Sequence, residues 1–295
     1  GLVVGVVALP LAMAFAIASG LTPQAGIYCA IVTGFLASLL GGSKTQISGP
    51  TGAFVVVIAG IVAKYGVGGL FMCTMMAGVI LVIMGLTGMG SAVKFIPRPI
   101  VIGFTNGIAL LIASTQIKDF FGLKVENVPG ELVERMEVLV QKADTFTPLE
   151  FALGLTSLAV IVFFTKFVPK VPGAIVVLFG STIAVSVLNL DVATIGTKFG
   201  GIPAGLPQLH IPPFPGRMIL KLLSPALTVA MLGAIESLLS AVVADRMSKD
   251  KHNPNTELFA QGVANLVSPL FGGLPATGAI ARTAESVFST LSDQE

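Results

Sequence analysis

Long apolar runs, broken by short polar or glycine-rich connections, dominate this chain. A helix needs about 20 mostly apolar residues to cross a bilayer. Runs of roughly that kind occupy residues 1–19, 24–41, 52–64, 69–90, 99–121, 147–167, 172–190, 222–245 and 256–271, and a tenth begins near 279. Backbone N–H and C=O groups cannot be left bare in hydrocarbon, so each run is expected to be helical. The run 52–64 is short: from Phe54 to Lys64 it reaches only about 16 Å at 1.5 Å per residue, roughly half of a 30 Å hydrocarbon core. The connection from Gly122 to Pro148 mixes acids and bases and predicts a short amphipathic helix around Glu131 to Lys142.

Composition supports a membrane solvent. Apolar residues make up 54% and charged residues 11% of the 295, against about 25% charged in a soluble domain. Mean hydropathy is +0.93. Lys44, Lys94, Arg98, Lys166, Lys170, Arg246, Lys249 and Lys251 fall in connections on one side of the predicted spans. The positive-inside rule makes that side cytoplasmic. A net charge of +2 without a basic tract gives no reason to expect nucleic acid. Cys29 and Cys73 lie inside apolar runs and read as small buried hydrophobes. The chain starts at Gly1 already apolar, without the basic start of a signal peptide. Residues 1–19 are therefore expected to be a true first span that has lost a cytoplasmic leader.

A pattern occurs twice. Gly-Pro-Thr-Gly-Ala at 49–53 matches Pro-Ala-Thr-Gly-Ala at 275–279, and Ser-Leu-Leu-Gly-Gly at 38–42 resembles the stretch Ser268 to Gly273. Transporters are often built from inverted halves whose broken helices meet at mid-membrane. A helix that starts there directs free N–H groups and the positive end of its dipole inward, which suits an anion. Gly52 and Gly278 allow close backbone approach, Thr51 and Thr277 can cap the helices or offer hydroxyls, and Pro50 suits a helix start. Arg282 lies three residues beyond the second turn and either supplies a full positive charge there or sits at the membrane interface. Glu236 reads as the one carboxylate deep in an apolar span, with Ser240 one turn on along the same face. It can carry a proton, help bind Na⁺, pair with Arg282 or hold two helices together. Gln261, Asn265 and Asn106 are expected to hydrogen-bond between helices.

Enzymatic readings find little support. The histidines, His210 and His252, both fall in connections, and neither His-Glu-x-x-His nor Gly-x-Ser-x-Gly occurs. Gly42-Ser43-Lys44-Thr45 lacks the glycine spacing and preceding strand of a phosphate loop. No enzyme activity, cofactor or metal is expected.

The sequence resembles the SulP sulfate permease family from Gly1 to about Ala284. The resemblance rests on four stretches: Leu9 to Ala16 (LPLAMAFA), Gly20 to Tyr28 (GLTPQAGIY), Gln46 to Gly52 (QISGPTG), and the long block from Gly233 through Asn265 to GGLPATGAIARTA ending at Ala284. It implies an all-α polytopic membrane protein with a uracil-permease-like inverted-repeat (7+7) transporter fold, in a bacterial inner membrane. About nine spans and the start of a tenth are present here. The transport domain would be residues 1–284, with a first repeat over about 1–190 and part of a second over 222–284. Residues 122–148 form an extracytoplasmic loop, residues 285–295 an atypical tail, and the later spans and the STAS domain are expected to be missing.

By the same resemblance the substrate is a small anion of the sulfate, C4-dicarboxylate or bicarbonate class, moved by an elevator-type mechanism. It would meet Phe15, Thr51, Gly52, Ala53, Gly278, Ala279, Ile280 and Arg282. Glu236 and Ser240 would serve the coupling ion, H⁺ or Na⁺. Leu11 stands where sulfate carriers often have glutamine. Ile280 stands where Na⁺–bicarbonate members carry a hydroxyl, which favours H⁺. A Na⁺-coupled bicarbonate symporter, an exchanger, and an anion channel or voltage-responsive motor remain the alternatives. The full-length protein is expected to be a homodimer.

Overall fold

The structure is a computed structural model, and it describes residues 2–91, 98–125, 128–129, 131–168, 171, 173–201, 205–209, 211–212 and 216–292. Lys94, Lys170, His210 and residues 293–295 lie outside the described residues. The helices are α1 (Leu2–Ala18), α2 (Pro23–Leu40), α3 (Gly52–Leu86), α4 (Arg98–Phe120), α5 (Leu132–Gln141), α6 (Pro148–Phe167), α7 (Gly173–Val187), α8 (Ile195–Phe199), α9 (Ile219–Ser248), α10 (Pro254–Val267) and α11 (Ile280–Ser292). Two short strands, β1 (Ser48–Gly49) and β2 (Thr277–Gly278), complete the described elements.

Each apolar run forms a helix close to where the sequence places it, and the expected amphipathic helix is α5. One boundary differs. The runs 52–64 and 69–90 are joined in α3, which bends sharply at Gly66 (φ +70°, ψ 178°). Only glycine takes that backbone state at little cost, so the segment from Gly52 to Tyr65 is a helix in its own right. Among the described residues four helices, α2, α3, α6 and α9, are long and apolar enough to cross a membrane. Others reach less far, with 17 residues in α1, 15 in α7 and 14 in α10. Helix α11 runs on through the tail as far as Ser292.

The chain divides into two compact units, Gly1–Thr105 with Ile202–Glu295, and Asn106–Gly201. Within the first, the order helix–helix–strand–helix occurs twice, as α1–α2–β1–α3 and as α9–α10–β2–α11. The two copies meet through β1 and β2, which pair antiparallel with Ser48 opposite Gly278 and Gly49 opposite Thr277. At the far end of the same unit, the connections after α2 and α9 touch. Lys44 Nζ is 3.0 Å from Asp250 Oδ2, and Asn253 N–H donates to Gly42 O at 2.9 Å. Lys44 thus shares an end of the unit with the lysines after α9, as the orientation argument requires.

Small residues let α10 lie almost backbone-to-backbone against α3. A Cβ on Gly78 would come within 2.7 Å of Leu266 N, one on Gly262 within 2.6 Å of Val82 N, and one on Gly85 within 2.7 Å of Phe259 N. Such crossings are how membrane helices gain contact where lipid is as apolar as leucine. Asn253 caps α10 through its side chain, accepting from Asn255 N and Thr256 N at 3.1 and 3.2 Å.

Gly262→Val is expected to force α3 and α10 apart at a cost of about 1–3 kcal/mol, the usual range for overpacking. The midpoint of thermal unfolding in detergent should fall by several degrees. An unchanged midpoint would mean that the crossing is not tight.

Candidate functional site

The strand pair fixes where two helices begin. After Gly49 the chain passes Pro50 and Thr51 and enters α3 at Gly52; after Gly278 it passes Ala279 and enters α11 at Ile280. Ala279 N–H donates to Ile47 O at 2.8 Å and Ile47 N–H to Thr283 Oγ1 at 3.0 Å. Both helix starts are therefore bound to one strand pair. The first-turn N–H groups of a helix have no acceptor within it, and here two such sets lie within a few residues of the same pairing. Thr51, Gly52, Ala53, Gly278, Ala279 and Arg282 are all buried.

Arg282, 4% exposed, extends from the first turn of α11 and donates through Nη2 to Pro50 O, in the turn that opens α3. A Cβ on Gly49 would sit 2.7 Å from its Nη1, so any larger residue there would have to displace the guanidinium. Among the described residues no carboxylate pairs with it; the ion pairs are Lys44–Asp250, Lys198–Asp119 and His252–Asp245. The considered Glu236–Arg282 pair is not made. Glu236 instead accepts from the Thr51 hydroxyl at 2.9 Å, at the N-cap of α3. Ser240, one turn further along α9, donates to Thr283 Oγ1 at 3.1 Å. The shared face of α9 thus presents Glu236 to the start of α3 and Ser240 to α11.

The two threonines do not cap by side chain. Thr51 holds the N-cap position of α3 without a capping bond. Thr277 lies in β2, where its hydroxyl donates to Gly233 O at 2.9 Å. With that proton committed, the 2.7 Å contact between Ser237 Oγ and Thr277 Oγ1 has Ser237 as donor. Ser237 Oγ in turn accepts from Gly278 N–H at 3.1 Å. The register of the sequence repeat is also off. Thr51-Gly52 starts a helix, whereas Thr277-Gly278 is strand, and the structural counterpart of β2 is Ser48-Gly49.

A polar stripe on α10 holds the assembly. Glu257, Gln261 and Asn265 recur every four residues and so share one face; each is at most 1% exposed. Glu257 accepts from Gly42 N–H and from Gln261 Nε2, both at 3.0 Å. Gln261 Nε2 also donates to Ser48 Oγ on β1. Asn265 clamps the residue before β2, donating to Ala276 O at 2.8 Å and accepting from Ala276 N–H at 2.9 Å. Gln261 and Asn265 were expected to bond between helices; outside their own helix they bond instead to Ser48 on β1 and to the Ala276 backbone before β2, because this face of α10 lies against the strand pair; Asn106 is exposed. Glu257 corrects the reading of Glu236 as the one deep carboxylate. It stands near the start of a run, where the sequence suggested interface, but the folded-over Gly41–Gly42 turn covers it. Gln46 was also missed. Its Nε2 donates to Ser237 O at 3.0 Å, directly over Gly278, where a Cβ would come within 1.7 Å.

Phe15 on α1 is half-buried, and α1 packs on both α3 and α11. Ile280 is 37% exposed at the start of α11. No group of three metal-ligating side chains is found among the described residues.

The sequence profile described as the Sulfate permease family matches residues 1–289. A Bacillus subtilis (strain 168) protein named "Putative sulfate transporter YvdB" is 46% identical over 97% of this chain and 54% of its own length. The protein named "Bicarbonate transporter BicA" from Picosynechococcus sp. is 35% identical over 98% of this chain and 52% of its own. The solved transmembrane domain of a cyanobacterial bicarbonate transporter BicA superposes with a TM-score of 0.84 at 35% identity, covering 98% of this chain and 75% of that one. A murine Solute Carrier 26 family member A9 anion transporter, solved inward-facing, shares the fold with a TM-score of 0.83 at 17% identity, covering 98% of this chain and 52% of that one. The chain spans about half the length of the curated relatives it matches.

Replacing Asn265 by Leu keeps the volume and strands the N–H and C=O of Ala276. Each buried group left without a partner costs about 1–3 kcal/mol. The variant should show a clearly lowered midpoint of thermal unfolding, with a smaller fall for Asn265→Asp, which can still accept. Equal midpoints for Leu and Asn would show that the clamp contributes nothing.

Proposed function

Because the chain belongs to the sulfate permease family, we propose that it forms the anion-binding part of a secondary active transporter. Its substrate is a small anion of the sulfate, C4-dicarboxylate or bicarbonate class, held between the starts of α3 and α11 near residues 51–53 and 278–282. The observation that carries this reading is the placement of Arg282. A cation in the first turn of a helix opposes that helix's dipole, and burying a charge without a counter-ion is costly. Here the guanidinium is buried beside two helix N-termini, with the Pro50 carbonyl as its acceptor. Such surplus positive potential is complementary to an anion, which can take hydrogen bonds from the guanidinium and from first-turn N–H groups.

Glu236 supplies the coupling. Its carboxylate is linked through Thr51 to the same helix start. Two negative charges close together in a membrane interior disfavour each other, so the anion binds best when Glu236 carries a proton. Each transported anion then takes one proton through the cycle, and the carboxyl releases it when the anion leaves. An elevator-type movement moves the loaded site across the bilayer. A second reading, a Na⁺-coupled bicarbonate symporter, is favoured by the relative named as a bicarbonate transporter.

The complete gene product in proteoliposomes distinguishes these readings. Labelled sulfate, succinate and bicarbonate are offered with and without an inward proton gradient, and with and without Na⁺. Under the proton reading one anion accumulates with the gradient, and Glu236→Gln abolishes accumulation while leaving anion exchange. Arg282→Ala should weaken binding by about ten- to a hundredfold, the equivalent of one charge-assisted hydrogen bond. Uptake that follows Na⁺ and ignores pH selects the symporter. Flux that never saturates rejects both.

A further inference from the structure

Helix α5 divides its surface into three sectors. Arg135 and Leu139 are buried at 3% and 4% exposure, and Val138 packs with Leu139 on Leu123 and Val125. Glu134, Glu137 and Gln141 are exposed on the far side. Between these sectors, Val133 (78% exposed), Met136 (38%) and Val140 (72%) form a second apolar strip at the i, i+3, i+7 spacing of one helix flank. A helix facing only protein and water needs two sectors. The third one calls for a third environment.

The anchoring of α5 says what that environment is. Arg135 Nη1 donates to Ser114 Oγ at 2.6 Å and to Leu111 O, and its Nε donates to Pro129 O at 3.0 Å. Ser114 is six residues before the end of α4, about 9 Å down a helix rising 1.5 Å per residue. The loop ends are also tied down: Thr147 Oγ1 donates to Gly122 O at 2.9 Å, and Thr147 N–H to Phe121 O. Helix α5 is thus held beside the last turns of α4 and is not free to lift away from them. On other helices of the same unit, Leu110 on α4 and Leu155 and Leu158 on α6 are also at least half exposed. The exposed glutamates beside it do not suit an anionic protein partner.

We propose that α5 is an interfacial helix whose Val133–Met136–Val140 flank rests among phospholipid acyl chains just beneath the headgroups. Its polar sector faces water and its Arg135–Leu139 sector is bolted to α4. A helix with this division lies in the membrane plane.

Single cysteines are placed at Val133, Met136 and Val140, and at Glu134 and Gln141 as polar-sector controls. All are exposed positions, and the native Cys29 and Cys73 are both buried. The complete protein is spin-labelled and reconstituted in phosphatidylcholine–phosphatidylglycerol vesicles. Collision rates are then measured with oxygen, which concentrates in lipid, and with a water-soluble nickel chelate. At 133, 136 and 140 oxygen should exceed the chelate severalfold, and the ratio should reverse at 134 and 141. Chelate-dominated relaxation at 133, 136 and 140 would place the strip in water. Low collision rates with both reagents would place it against protein. Either result overturns the proposal.

Discussion

A helix start has first-turn N–H groups with no acceptor inside the helix, and this chain brings two such starts to one place. The device is the antiparallel pairing of Ser48–Gly49 with Thr277–Gly278. Much of the first unit serves that pairing. The crossing of α3 and α10 at Gly78, Gly85 and Gly262 sets α10 close enough for its polar face to reach the strands. Gln261 then holds β1 from one side, Asn265 holds the approach to β2, and Ser237 on α9 accepts from Gly278 N–H. Irregular backbone at membrane depth survives only when its polar groups are satisfied from within the protein, and these amide and hydroxyl side chains meet that condition.

The two halves of the repeat are alike in architecture and opposite in chemistry. The α11 half supplies Arg282, whose guanidinium crosses to the Pro50 carbonyl of the other copy. Glu236 on α9 crosses to the threonine at the start of α3. Arg282 and Glu236 are thus both engaged with the opening turn of the first copy, and the two charges stay apart rather than neutralising each other. Under the proposed transporter function, that separation leaves one charge for an anion and the other for a coupling cation, which a direct ion pair would prevent.

Helix positions were legible in the sequence because apolar run length is a direct consequence of bilayer thickness. The shortness of 52–64 already marked a broken helix, and Gly66 is the physical break. The grouping of Thr51, Gly52, Gly278, Arg282 and Glu236 was legible in outline, since these residues come together in the fold. What failed was register. The repeated Thr-Gly-Ala compares residue types, not backbone states. Pro50 precedes the helix start in one copy, while in the other the same letters lie in the strand. The Glu257–Gln261–Asn265 stripe was visible as a four-residue spacing, but its partners, the Gly42 N–H, the Ser48 hydroxyl and the Ala276 backbone, are groups that spacing cannot identify. Ser237 and Gln46 gave no signal at all, since a small hydroxyl or an amide beside a glycine-rich turn has many possible roles.

The most direct test is to locate the bound anion. A density map of the complete protein at saturating concentration of whichever anion it accumulates should place that anion within hydrogen-bonding distance of first-turn N–H groups of both α3 and α11, with the Arg282 guanidinium alongside. An anion held by one of the two helices alone, or bound away from the strand pair, would contradict the account.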